Sequence, residues 1–301
     1  MKALAKAAIS LSVLGALVWW ADAREIFAQL RSAKITWLLA ALAALTAATF
    51  AMARRWQVTA RAFGIEIGFW HALGEYYISQ LVNGVLPGGV LGDVGRAVRV
   101  RQEASLAGAA QSVMAERLIG QIFMCLVLAL GLTCALLVPG GLAWPTTPLV
   151  LGLAVLVAAS GIAIVLSRRA HATGRFLQRV LVLARRPEVS FNALVSAMLL
   201  IFAFYAACRA INAVLPPSAW FTLIPLVLCA MLVPLSIGGW GWREGAAAAL
   251  FPLVGAASST GIAASMAYGA LLMVAALPAG YFILHWHGLA SGNRSEKLDV
   301  T

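Results

Sequence analysis

The sequence predicts an all-α integral membrane protein, and three observations carry that prediction. The chain of 301 residues is 62% hydrophobic and only 11% charged, against about 25% charged in an ordinary soluble domain. Its mean hydropathy is +0.91. Several apolar stretches reach the roughly 20 residues that a helix needs to cross a bilayer. Such a chain lacks the polar groups to cover its own surface, so lipid must supply part of its solvent. No charge-rich stretch is long enough for a separate soluble domain. Residues 1–290 therefore read as one polytopic membrane domain and 291–301 as a short polar cytoplasmic tail.

Full-length apolar segments fall at about 4–20, 35–53, 117–138, 149–167, 191–215 and 260–284. The first follows Lys2 and Lys6 and ends at Trp19-Trp20, with Ala21-Asp22-Ala23 behind it. That pattern fits a cleaved signal peptide or a retained helix with interfacial tryptophans; the retained helix closes the topology. The basic loop 168–187 holds six arginines and no acid before Glu188, which places it in the cytoplasm by the positive-inside rule. The uncharged loop 139–148 then faces outward, and loop 54–70, with Arg54, Arg55 and Arg61, faces inward. Both termini come out cytoplasmic, in the cell's inner membrane.

Two apolar regions do not fit this count as spans. Residues 71–116 are interrupted at Asn83-Gly84, Pro87-Gly88-Gly89 and Gly92-Asp93, and must enter and leave from the cytoplasmic side. Residues 220–257 are interrupted at Pro234, Gly238-Gly239, Gly241 and Arg243-Glu244-Gly245, and must enter and leave from outside. The expected architecture is six spanning helices and two re-entrant helical hairpins of opposite orientation, an inverted-repeat arrangement of the kind transporters use. Two Pro/Gly kinks in ordinary helices are the simpler alternative.

The chemistry follows from these breaks. Irregular backbone at membrane depth survives only when buried in protein or facing a wet cavity. A helix that begins there offers free N–H groups and a partial positive charge to an anion. The break glycines, Gly88, Gly89, Gly92, Gly238, Gly239 and Gly241, permit close backbone approach. Charges in such a place are costly and mark function or a buried pair. Arg243 is expected to bind a lipid phosphate and Glu244 to orient it, or the two pair and staple the hairpin. Asp93 and Arg96 form the matching set, with Asp93 as a helix N-cap in the bland reading. Glu75, Ser79 and Asn83, spaced by four, lay a polar stripe on one helix face that lines the path or bonds a neighbouring helix. Glu116 and Arg117 open the third long helix and reach either the hairpin or substrate. Arg209 snorkels to the outer headgroups or touches substrate.

Other classes are disfavoured. The net charge of +11 and pI near 10.3 fit cytoplasmic loops on anionic lipid; no basic-aromatic module for nucleic acid is visible. Cys125, Cys134, Cys208 and Cys229 lie in apolar helical stretches without CxxC spacing, which reads as core packing and not a metal site or disulfide. No HExxH, Walker or GxSxG motif occurs. Val90-Leu91-Gly92-Asp93 lacks the first glycine of an intramembrane aspartyl protease motif. The chain is expected to be no enzyme and to carry no cofactor.

Arg54-Arg55-Trp56, the block from Asn83 through Gly89 with Gly92-Asp93 and Arg96, Glu116-Arg117, and the block from Ser236 through Gly245 occur in an order that resembles the flippase-like membrane domain of lysylphosphatidylglycerol synthases and their stand-alone relatives. The resemblance covers nearly the whole chain. It implies movement of a phospholipid or polyprenyl lipid between leaflets, with anionic or phosphate-bearing lipids as partners. The soluble domain that aminoacylates lipid in that family has no counterpart before Thr301, so lipid aminoacylation is not implied. A membrane scaffold for an envelope or glycolipid-assembly enzyme, docked at the basic loop 168–190, is the competing reading.

Overall fold

The computed structural model describes residues 22–86, 89–102, 105–137, 146–168, 171–232 and 239–285, with positions 12 and 15 besides. All but positions 12 and 15 of the expected first helix 4–20, residues 139–145 of the outward loop, Pro87, Gly88, Pro234, Gly238 and the tail lie outside the described residues. Every regular element among the described residues is a helix. In chain order they are α1 (Ala23–Arg31), α2 (Ile35–Arg61), α3 (Phe69–Val85), α4 (Leu91–Arg99), α5 (Leu106–Leu137), α6 (Thr146–Ser167), α7 (Ala172–Ala184), α8 (Pro187–Ala210), the single turn α9 (Pro217–Trp220), α10 (Leu223–Cys229), α11 (Trp242–Leu250) and α12 (Ser258–Ala275). Short 3₁₀ turns follow α4, α10 and α11.

Four of these helices are long and apolar enough to cross a membrane: α2, α5, α8 and the path of α12 on to His285. They coincide with four of the six expected crossings, and the stretch 149–167 falls within α6. Two boundaries differ in a way that matters. The second helix does not stop at residue 53 but runs to Arg61, and the third begins at Leu106, not near 117. Arg55 is therefore inside a helix, and Glu116 and Arg117 lie well within α5 instead of opening it.

The core is built on small residues. Helix α2 packs along α8, and both helices bury alanines, Ala41, Ala44 and Ala48 on the first and Ala197, Ala203 and Ala207 on the second. Alanines let two backbones approach closely where lipid gives no hydrophobic drive to associate. Larger side chains fill the space beside this seam: Leu45, Phe204, Leu223, Phe251 and Ile262 share one cluster that joins α2, α8, α10, α12 and the turn after α11. A second cluster, with Trp56, Leu73, Tyr77, Ala97 and Val113, joins α2, α3, α4 and α5. Val58, Ile119, Val180, Leu183 and Val189 hold the basic helix α7 against α2, α5 and α8.

Both interrupted regions are helix–break–helix structures. α3 and α4 lie antiparallel: Glu75 meets Arg99 at one end, while Asn83 meets Gly92 at the other. In the second region α10 leads to α11, which packs on α12.

Neighbouring arginines in α2 have opposite surroundings. Arg54 is partly exposed and pairs with the exposed Glu188 at 2.5 Å; Arg55 is buried. Exposed ion pairs contribute about 0–1 kcal/mol. Arg54→Ala should accordingly leave the thermal unfolding midpoint of the detergent-solubilised protein nearly unchanged, and a large drop would mean that the pair matters beyond its surface position.

Candidate functional site

Arg55 is the residue that sequence reasoning misplaced. Its Nε donates to Glu116 Oε1 at 3.0 Å and its Nη1 to Ser196 Oγ at 2.9 Å. It faces α5 and α8 and is no headgroup-level loop residue. A buried charge survives only when paired and hydrogen-bonded, and the extension of α2 past residue 53 supplies that pairing. The signal was in the sequence: the small-residue stripe Ala41, Ala44, Ala48 continues at helical spacing through Met52, Arg55 and Thr59.

From Arg55 a chain of charges runs through the protein. Glu116 accepts from Arg55 on one oxygen and from Arg96 Nη2 at 3.4 Å on the other, while Tyr76 Oη donates to it at 3.2 Å. Arg96 Nη2 also meets Asp93 Oδ1 at 3.1 Å, and Asp93 Oδ2 meets Arg117 Nη2 at 2.7 Å. Ser79 and Asn83 donate to the two oxygens of Asp93 at 3.0 and 3.1 Å. Three guanidinium groups thus share two carboxylates, Arg55, Arg96 and Arg117 against Glu116 and Asp93, and the chain carries one positive charge in excess.

Several expectations are corrected by this geometry. Asp93 is not a helix N-cap; it stands in the first turn of α4 and is held by α3 and α5 side chains. The polar stripe Glu75, Ser79 and Asn83 bonds the second arm of its own hairpin, with Glu75 receiving Arg99 Nε at 2.8 Å on both oxygens. One amide at each of the two helix N-termini is already taken by a side chain. Gly92 N donates to Asn83 Oδ1 at 2.8 Å, and Gly241 N donates to Glu244 Oε2 at 2.7 Å. The chain caps these two amides itself, which removes them from any ligand.

The second region centres on Arg243, which is fully buried. Its Nη2 meets Glu244 Oε1 at 2.6 Å and its Nε meets Ser265 Oγ at 2.8 Å; Ser265 Oγ in turn donates to Glu244 Oε1 at 2.8 Å. The ion pair that would staple the hairpin therefore exists. It does not use up the guanidinium: Arg243 Nη1 is buried without a hydrogen-bond partner among the described residues. Gly241 holds φ at 88° to start α11, a conformation that strongly favours glycine. Gly269 leaves room for the guanidinium, since a side chain there would collide with Arg243 Nη2 and press on the Trp240 ring.

Both central arginines sit between a tryptophan and a tyrosine. Arg96 lies 4.3 Å from the Trp56 ring centre and 4.6 Å from that of Tyr76. Arg243 lies 5.2 Å from Trp240 and 5.5 Å from Tyr268. Aromatic faces stabilise a desolvated cation and hold its plane in place. Arg96 Nε and Nη1 are also without a hydrogen-bond partner among the described residues, but Arg96, unlike Arg243, does not border the cavity between the two interrupted regions. Arg209 is likewise stacked, over Trp37 at 5.3 Å.

One cavity of about 490 Å³ lies between the two interrupted regions. Of the residues expected at the site, Asn83, Asp93, Arg117 and Arg243 line it, as do Gly89 and Gly239. Arg96, Glu116 and Glu244 do not border it; they hold the lining residues Asp93, Arg55 and Arg243 from behind. Glu75 does not border it either, and pairs with Arg99 away from its lining. Tyr76 and Gln80, which widen the polar stripe, line it too, and so do Arg55, Trp240 and Tyr268, which were not expected at the site. The rest of the wall is largely apolar, with Met52, Met124, Met231 and Met273 among its side chains.

The model of the family described as the lysylphosphatidylglycerol synthase TM region matches residues 4–280. The chain belongs to that family. The match spans α1 through α12 and both interrupted regions, and it associates this membrane protein with membrane lipid. No curated protein and no solved structure matches the chain. What a member of this family can do at the cavity follows from its residues: cations at two walls, an open guanidinium nitrogen and an apolar lining suit an amphiphile with an anionic head.

Proposed function

We propose that the protein moves a phospholipid or a polyprenyl-phosphate lipid across the cytoplasmic membrane, passing the headgroup through the cavity while the tails stay in the bilayer. The observation that carries this reading is Arg243 Nη1, a buried cationic donor without a partner among the described residues, on a side chain that borders the cavity. An unmet buried donor costs about 1–3 kcal/mol, and a phosphate oxygen would relieve that cost. The positive excess of the Arg55–Arg96–Arg117 chain on the facing wall favours the same ligand charge. In this reading α3–α4 and α10–α11 are re-entrant hairpins entering from the cytoplasmic and outer faces respectively, and both termini are cytoplasmic. Lipid leaves chemically unchanged, so the protein is a transporter and not an enzyme.

Purified protein in liposomes with fluorescent phosphatidylglycerol tests the reading. Lipid should cross at least about tenfold faster than in empty vesicles. Arg243→Gln should cut that rate by about tenfold or more while the protein remains monodisperse, since a hydrogen bond to a charged group contributes about 1.5–3 kcal/mol. Rates equal to those of empty vesicles would end the proposal. The scaffold reading has one observation of its own: α7 and its flanks expose Arg179, Arg185 and Arg186 on one basic segment. It predicts a stable enzyme partner in crosslinked membranes and indifference to Arg243→Gln.

A further inference from the structure

Two cysteines on separate helices meet beside the cavity. Cys125 is in α5 and Cys229 ends α10. The two hydrogens of one amide serve both, with Gln121 Nε2 at 3.5 Å from Cys125 Sγ and 3.4 Å from Cys229 Sγ. Both cysteines are free and partly exposed. Cys229 and Gln121 line the cavity. Cys134 and Cys208 are placed otherwise, the first exposed and the second fully buried in the α8 core.

We infer that Cys125 and Cys229 form a dithiol oxidation site, which a small-molecule disulfide entering the cavity converts to an intramolecular disulfide. A disulfide requires helices near enough for sulfur contact without backbone rearrangement, and the shared amide holds the sulfurs on one side of Gln121. The same amide donates to whichever sulfur carries negative charge, and the thiolate is the attacking species. Cys229, on the cavity wall, attacks one sulfur of the reagent and expels the other half as a thiolate, giving a mixed disulfide. Cys125 then attacks Cys229 Sγ and expels the remaining half. The two cysteines lose two protons and two electrons; the reagent disulfide gains them and leaves as two thiols.

The bond ties α10, the first arm of the second interrupted region, to the long helix α5. This chemistry stands whether or not lipid passes through the cavity. Its consequence for passage rests on the transport reading: a tied α10 fixes one wall of the headgroup cavity and slows movement.

The test uses the whole protein in vesicles treated with dithiodipyridine, whose reduction is read from the coloured thiopyridone released. Trypsin then cuts at the exposed arginines of 175–186, which separate Cys125 from Cys229 in the chain. On a non-reducing gel the two halves should stay joined after oxidation and part on adding reductant. A Cys134→Ser, Cys208→Ala protein should behave the same, and adding Cys125→Ser to it should abolish the link. Mass spectrometry of the wild type gives a reading free of any variant: a peptide pair joined through Cys125 and Cys229. Halves that part without reductant, or a linked pair involving Cys134 or Cys208 alone, would overturn the inference. A disulfide that forms in vesicles showing no lipid movement retains the site and removes only its consequence for passage.

Discussion

Glu116→Ala should destabilise the detergent-solubilised protein by about 3–5 kcal/mol, the cost of breaking a buried ion pair by removing one partner. Glu116 is fully buried and touches Arg55, Arg96 and the Tyr76 hydroxyl. Among the described residues its removal leaves Arg55 with only Ser196 and Arg96 with only Asp93, both guanidinium groups still buried. Tryptophan fluorescence during thermal unfolding reads this directly, because Trp56 lies against Arg96. Glu116→Gln keeps an acceptor and loses the charge, so it should fall between the wild type and Glu116→Ala. An unfolding midpoint for Glu116→Ala equal to that of Arg54→Ala would show that the charge chain contributes no more than a surface pair.

A methyl group at residue 92 should be nearly as damaging. Gly92 packs directly on the backbone carbonyl of Ser79, and an added Cβ would overlap that oxygen. Neither partner is a flexible side-chain end, so α3 and α4 must separate. Separation breaks the Asn83–Gly92 and Ser79–Asp93 bonds and weakens the grip of Asp93 on Arg117. Overpacking of this kind costs about 1–3 kcal/mol, and the lost bonds put Gly92→Ala at the upper end. Gly68→Ala is the control, since a Cβ there meets nothing within 4 Å; it should stay within about 0.5 kcal/mol of wild type. Size-exclusion profiles and trypsin sensitivity of the two variants side by side would decide the matter, and equal behaviour would mean that the hairpin tolerates being opened.

These two residues also mark what a sequence reader could and could not see. The interruptions at Gly89–Gly92 and Gly239–Gly241 were legible, because glycine clusters have few reasons to occur in apolar helical stretches. So were Arg243 and Glu244, whose charge is conspicuous there. The long helices α2, α5, α8 and α12 announced themselves by apolar length. Helix ends were harder. The positive-inside rule treats every arginine near a span as a headgroup residue, and it placed Arg54 and Arg55 together. Only three-dimensional pairing separates the one at the surface from the one inside. Self-capping was equally hidden: Asn83 and Glu244 satisfy the amides of Gly92 and Gly241 through contacts that spacing alone does not specify. The aromatic partners of Arg96 and Arg243 come from four different places in the chain, and no local motif announces such a meeting.

The length of α5 fixes how deep the ion chain lies. The helix has 32 residues, or about 48 Å at 1.5 Å per residue, against a hydrocarbon slab of about 30 Å. Its uncharged stretch, 118–137, alone matches that slab. With that stretch seated in the hydrocarbon, Glu116 and Arg117 come to rest at the slab's edge, and the arm 106–117 projects among the headgroups of one leaflet. Arg117, about half exposed, then stands at a threshold. Under the proposed transport, a headgroup arriving from that leaflet meets its first cation before it leaves the wet zone.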